Sequence, residues 1–260
     1  MTLTYSSYLH LPDLLRMQEP RSTPPEHDEM LFIVIHQTYE LWFKLILHEV
    51  DKVNRDFAGN DLYGALHTWK RLRTILKTLV GQIDILETMT PMSFSSFRNR
   101  LDDASGFQSF QFREIEFAFG YKRASVTGAI PDTGVERATA DRRLAERSVM
   151  DYFYDFLAHR GLIVPAELRD RDLTQPTIAS TTLQEELLRG YREQPDLVIL
   201  LELMTDFDEG FQEWRYRHIK LVERTIGAKK GTGGSPGVEF LKLSLWKPLF
   251  PDLWAIRHRM

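Results

Sequence analysis

Apolar residues recur every three or four positions along most of the chain. Between residues 62 and 86 they fall at Leu62, Leu66, Trp69, Leu72, Leu76, Leu79, Ile83 and Leu86. That is the stripe of an amphipathic helix. The preceding "NDLYGAL" offers Asn60 or Asp61 as its cap. Residues 136–159 read as another such helix, which Gly161 can stop. "TTLQEELLRGYRE" opens a third, with Thr182 and Glu185 at capping-box spacing. The longest stripe runs from Asp196 to Ile226 through Leu197, Leu200, Met204, Phe207, Phe211, Trp214, His218, Leu221 and Thr225. Pro195 and Gly227 bracket it as a start and a stop. At 1.5 Å per residue it spans ~46 Å.

Leu31–Val50 differs, being apolar nearly all round. Such a segment predicts a central, buried helix, with Glu40 and Lys44 paired one turn apart. Strand signals are confined to "GLIVPAEL" and "VEFLKLS". Loops are expected at 19–26, 122–134, 161–180 and 228–237. The pattern is that of an all-α fold. The 260 residues suit one large domain or two small ones.

Composition narrows the chemistry. The net charge is −4, without the basic excess usual in nucleic-acid binders. The cluster Arg215, Arg217, Lys220, Arg224, Lys229 and Lys230 is local, and suits the C-terminal end of a helix dipole. There is no cysteine, which excludes disulfides, thiolate metal sites and a cysteine nucleophile. The N-terminus lacks a basic segment followed by an apolar run, so no signal peptide is expected. No uninterrupted apolar run reaches the ~18 residues of a membrane span. The expectation is a cytoplasmic protein engaging neither nucleic acid nor membrane.

Two of the eight histidines, His36 and His218, sit on apolar helical faces. Each could be an ordinary core residue with one hydrogen bond. A neutral imidazole among Phe32, Phe43, Phe211 and Trp214, with no thiolate, also suits a haem iron. Neither the Glu-x-x-His pair of di-iron bundles nor the His-Glu-x-x-His zinc motif occurs. A site of two histidines and a carboxylate stays open, His36 and Glu40 being one turn apart. The loop "GAKKGTGGSPG" follows a helix C-terminus, which repels anions, so it is no phosphate cradle. It offers backbone carbonyls and the Thr232 hydroxyl. Arg98 shares a helical face with Phe94, Phe97 and Leu101. A guanidinium there needs an anion, either Asp102 or Asp103 or the carboxylate of a ligand.

Three of these segments resemble tryptophan 2,3-dioxygenases of the bacterial type. They are "HDEMLFIVIHQTYELWFKLILHEV", "FRNRLDDASGFQSFQFREIEF" and "WRYRHIKLVERTIGAKKGTGGSPGVEFL", and the opening "TYSSYLHLPDLLRMQEP" is similar too. The resemblance implies a single all-helical haem dioxygenase domain over residues 1–260, assembled as a homotetramer. Haem b, ferrous in the active state, would be held by His218 as axial ligand. The reaction would open the indole ring of L-tryptophan with O2, giving N-formyl-L-kynurenine, the first step of tryptophan breakdown by the kynurenine pathway. Both oxygen atoms would enter the product.

Carried onto this chain, the family's contacts put Phe32 against the indole and His36 at its N–H, where it orients the substrate. Arg98 would grip the carboxylate and Thr232 the ammonium group. Phe94 stands where many members carry tyrosine. Leu101, Ser105 and Gly106 would line the pocket above the haem. Tyr5 and Tyr8, within a segment of about residues 1–20, would complete a neighbouring subunit's pocket. Gly231, Gly233 and Gly234 would let the loop close over a ligand. Rival readings are an indoleamine-type dioxygenase acting on other indoles, a regulatory tryptophan-binding module, and a non-enzymatic helical scaffold.

Overall fold

In the computed structural model, residues 2–129, 134–229, 231 and 237–260 are described. Three long helices carry the fold: α3 (His27–Ala58), α4 (Leu62–Leu86) and α11 (Pro195–Ile226). They are preceded by two single turns, α1 (Tyr5–Tyr8) and α2 (Leu11–Leu14). Between α4 and α11 lie α5 (Pro91–Arg98), α6 (Phe110–Ala118), α7 (Val135–Ala145), α8 (Val149–His159), α9 (Ala166–Arg169) and α10 (Thr181–Glu193). The chain ends with α12 (Val238–Lys242) and α13 (Pro251–Ala255).

α4 is the spine, packed on α3 along one side and on α11 along the other. The turn from α3 to α4 takes three residues, and Asn60 adopts a positive φ of 54°. Of the two cap candidates Asp61 does the capping, its Oδ1 accepting Gly64 N–H at 2.9 Å. The predicted stripe of α4 is the one that is buried. Trp69 is fully enclosed, with its ring 5.7 Å from Phe250, 6.0 Å from Phe119 and 5.6 Å from Phe207. Asp208 fastens the C-terminal segment to α11, accepting Leu249 N–H, Phe250 N–H and Trp254 Nε1–H at 2.9–3.0 Å.

Several expectations are corrected. The helix predicted over 136–159 is two helices, broken at Glu146, whose backbone is extended. Ser148 restarts the chain by donating from both N–H and hydroxyl to Asp151, at 2.7 and 2.6 Å. A local polar turn outweighs a continuous apolar stripe there. Neither strand candidate forms a strand: "GLIVPAEL" enters α9 and "VEFLKLS" enters α12. Thr182 and Glu185 form no capping box, because α10 begins at Thr181 with Ser180 at the N-cap position, two residues before Thr182, and Glu185 pairs with Arg259 at 2.7 Å. The segment Leu31–Val50, predicted to be central and buried, keeps Val34 and Leu41 exposed. α3 is long and apolar enough to cross a membrane by length and composition, yet in this fold it packs on α4, α6 and α8.

Removing the Trp69 ring opens a void among three phenylalanines that cannot all move in. Trp69→Ala is expected to lower unfolding free energy by about 3–5 kcal/mol, read from the urea midpoint.

Candidate functional site

A cavity of about 260 Å³ opens between α3, α5, α6, α11 and α12. The predicted residues Phe32, His36, Phe94, Arg98, Ser105, Gly106 and His218 all line it. Leu101 does not: it packs against the core beside the cavity. Tyr5 and Tyr8 are exposed on α1, away from this cavity's wall. Thr232, Gly233 and Gly234 lie outside the described residues; Gly231, the other glycine named for the loop, lines the cavity.

α3 presents Phe32 and His36 one turn apart, so their rings meet, with centroids 4.1 Å apart. The His36 Nδ1–H donates to the Phe32 carbonyl at 2.7 Å. A carbonyl can only accept, so the proton sits on Nδ1 and the lone pair on Nε2. Burial holds the His36 imidazole below its usual pKa, against the Phe32 carbonyl and the Glu40 charge, which act the other way. Phe94 and Phe97 close on Phe32 at 5.7 and 5.6 Å. The space near His36 is therefore walled by flat rings.

Glu40 does not pair with Lys44 as expected. Its carboxylate and its backbone carbonyl both accept from the Gln111 amide, at 2.9 Å each. Among the described residues no group of three histidine, aspartate or glutamate side chains is placed to hold a metal ion. Glu40 thus serves to tie α6 to α3.

His218 comes from α11 and meets the same cavity. Burial first, then the neighbouring His36 and the Arg113 charge, which oppose its protonation, bring its pKa down to about 4. It is a neutral imidazole at any ordinary pH. No hydrogen bond to its ring forms among the described residues; its contact is Trp214, stacked parallel at 5.1 Å.

A second cluster on the wall was not foreseen. Glu116 is buried and faces three guanidiniums: Arg113 at 2.7 Å, Arg123 at 2.6 Å and Arg215 at 3.1 Å. Burial pushes its carboxyl up, but Arg113, Arg123 and Arg215 outweigh that and hold it below the usual range. One carboxylate against three guanidiniums leaves positive charge in excess beside the cavity. Arg215, expected only to suit the C-terminal end of a helix dipole, is buried and also donates to the Ser244 and Lys247 carbonyls at 3.1 and 2.8 Å. The one sequence signal was Arg113 and Glu116 at i, i+3; that Arg123 and Arg215 converge on them is tertiary.

Fold and site together define an all-helical protein with an enclosed aromatic cavity, two neutral imidazoles and a cationic wall. Comparison with known proteins gives the family. The model of the tryptophan 2,3-dioxygenase family matches residues 1–130 and 183–260. The tryptophan 2,3-dioxygenase of Herpetosiphon aurantiacus is 52% identical, covering 98% of this chain and 97% of the relative. That of Anaeromyxobacter dehalogenans is 47% identical, covering 98% and 95%. That of Kineococcus radiotolerans is 44% identical, covering 98% and 90%. The chain belongs to the tryptophan 2,3-dioxygenase family.

The depressed pKa of His218 has a pH consequence. Unfolded, the imidazole takes a proton below about 6.5; folded, it resists until about 4. Its contribution is intact above about pH 6.5 and lost as pH falls towards 4. In the ligand-free protein the wild type is expected to lose on the order of 2 kcal/mol more than His218→Leu between pH 7 and 5. Urea midpoints at the two pH values check this; equal losses contradict it.

Proposed function

We propose that this chain is a dioxygenase that opens the indole ring of L-tryptophan with O2, giving N-formyl-L-kynurenine and so starting tryptophan breakdown. The observation that carries the reading is the cavity itself, where a flat apolar wall, an imidazole acceptor and a guanidinium surround space for an aromatic amino acid. Family membership supplies the reaction.

The residues present fit haem b. His218 offers a neutral imidazole at the cavity, with no hydrogen bond to its ring among the described residues. Such an imidazole would hold the haem iron. The excess of guanidinium over carboxylate around Glu116 suits the propionates. Gly106 adds room, since a methyl there would meet no protein atom within 4 Å. When bound, ferrous haem supplies the centre at which O2 is held and activated.

The protein's own part is to bind, orient and exclude water. Phe32 packs on the indole, and Phe94 widens the same apolar wall. His36 Nε2 accepts the indole N–H and so fixes the ring's rotation. It already has its proton on the far nitrogen, which makes it an acceptor for orientation without any need to remove that N–H. Arg98 grips the α-carboxylate, and the Thr232 hydroxyl takes the ammonium group. Ser105 keeps the entry to the short turn 106–108 in place, its hydroxyl accepting Phe107 N–H at 3.3 Å. Holding both ends of the amino acid brings its C2–C3 bond to the oxygen site, a gain by proximity.

Four copies assemble, with Tyr5 and Tyr8 completing a neighbour's pocket. Support comes from their exposure on α1 and from the exposed Met30, Val34 and Leu41 of α3. The whole chain acts as one domain, in the cytoplasm.

The direct test is anaerobic reduction of the haem-loaded protein, then O2 and L-tryptophan, following N-formylkynurenine absorbance. Product is expected with L-tryptophan and far less with tryptamine, which lacks the carboxylate. No product, with tryptophan bound and haem ferrous, points instead to a regulatory binding module. Arg98→Leu should lower kcat/KM about 10- to 100-fold, the worth of one charge-assisted contact, mostly through KM. His36→Ala should retain measurable turnover; complete loss with haem and substrate still bound makes His36 an obligatory proton acceptor.

A further inference from the structure

Metal-bound imidazoles are ordinarily held in one orientation by a hydrogen bond from their second nitrogen. His218 makes no such bond among the described residues. It has a flat partner instead. His218 and Trp214 are four residues apart on α11, and helical side chains lean back towards the N-terminus. The imidazole therefore comes to lie over the indole. The two rings are 3° from parallel with centroids 5.1 Å apart, the offset stack that aromatic pairs favour.

Trp214 is itself fixed. The Phe112 ring lies 5.0 Å away, tilted by 37°. Tyr39 and Phe43, one turn apart on α3, present their edges at 6.1 and 6.3 Å. Tyr39 cannot swing away, because its hydroxyl donates to the Leu79 carbonyl at 2.8 Å. α3 and α6 thus bear directly on one indole, α4 through its hold on Tyr39, and that indole bears on one imidazole.

We infer that Trp214 is a positioning residue for His218: its face, boxed by Tyr39, Phe43 and Phe112, sets the plane of the iron-binding imidazole. This rests on His218 being the axial ligand, as proposed above. The axial imidazole plane governs how the ligand overlaps the iron orbitals, so the device fixes an electronic property through packing alone. What matters is a flat face. Phenylalanine keeps one; leucine fills part of the space without one.

The experiment uses the ferric holoenzyme as its cyanide adduct, in which the spread of the electron paramagnetic resonance g values reports the axial imidazole plane. Wild type, Trp214→Phe and Trp214→Leu are compared at equal haem loading. Expected are near-wild-type g values for the phenylalanine variant and a shifted, broadened signal for the leucine variant. Wild-type values in both, or the same shift in both, overturn the inference, since neither depends on a face. A wild-type protein that takes up haem without an imidazole ligand overturns the axial assignment instead. Should the leucine variant fail to load haem, the crystal structure of the wild-type holoenzyme decides. Indole and imidazole face to face support the inference, and rings at a steep angle overturn it.

Discussion

Everything in this molecule turns on keeping one imidazole neutral and aromatic-lined at the inner face of a long helix. A charged His218 cannot offer a lone pair, and an exposed one would meet solvent instead of a ligand. Burial brings its pKa to about 4. That burial has to be built, because a histidine in water titrates near 6.5. The helix α11 supplies one wall, α3 supplies His36 and Phe32 opposite, and α6 closes the side with Phe112 and Arg113. The constraint is met where the long apolar stripes of α3 and α11 face one another across the cavity.

The supports around it are polar pairings that reach from one helix to another. Asp208 takes three N–H donors and so carries the C-terminal segment back onto α11. Glu116 collects Arg113, Arg123 and Arg215, linking α6, the segment after it and α11. Gln111 spans to the Glu40 carboxylate and carbonyl and fixes α6 on α3. Groups of this kind cost much if half-paired, which makes the positions of the three helices interdependent. The cavity is the space these pairings leave between them.

Much of this was legible along the chain, for a physical reason. α4 and α11 obey a 3.6-residue period over their full lengths, and their ends carry Asp61, Pro195 and Gly227. Local rules suffice there. His36 and His218 stood out because each is an imidazole on an otherwise apolar face. What failed was decided by partners distant in sequence or by a short polar turn. Ser148 with Asp151 breaks a helix whose apolar stripe runs on. Glu40 has Lys44 one turn away but finds Gln111, 71 residues on. Arg215 read as one cation of a cluster suited to a helix end, yet it is buried against Glu116, 99 residues away. Leu101 was expected on one helical face with Arg98, but α5 ends at Arg98, and Leu101 lies beyond it, packed against the core. The stack of Trp214 on His218 was present in the spacing all along; its significance needed the rings that box it.

The most direct measurement is a haem titration followed at the Soret band, with wild type and His218→Ala side by side. The account predicts one haem per wild-type chain, with the absorption of a histidine-ligated iron, and weak, spectrally different uptake by the alanine variant. Equal affinity and an identical spectrum in the two proteins would contradict it, because the iron would then be held by some other group.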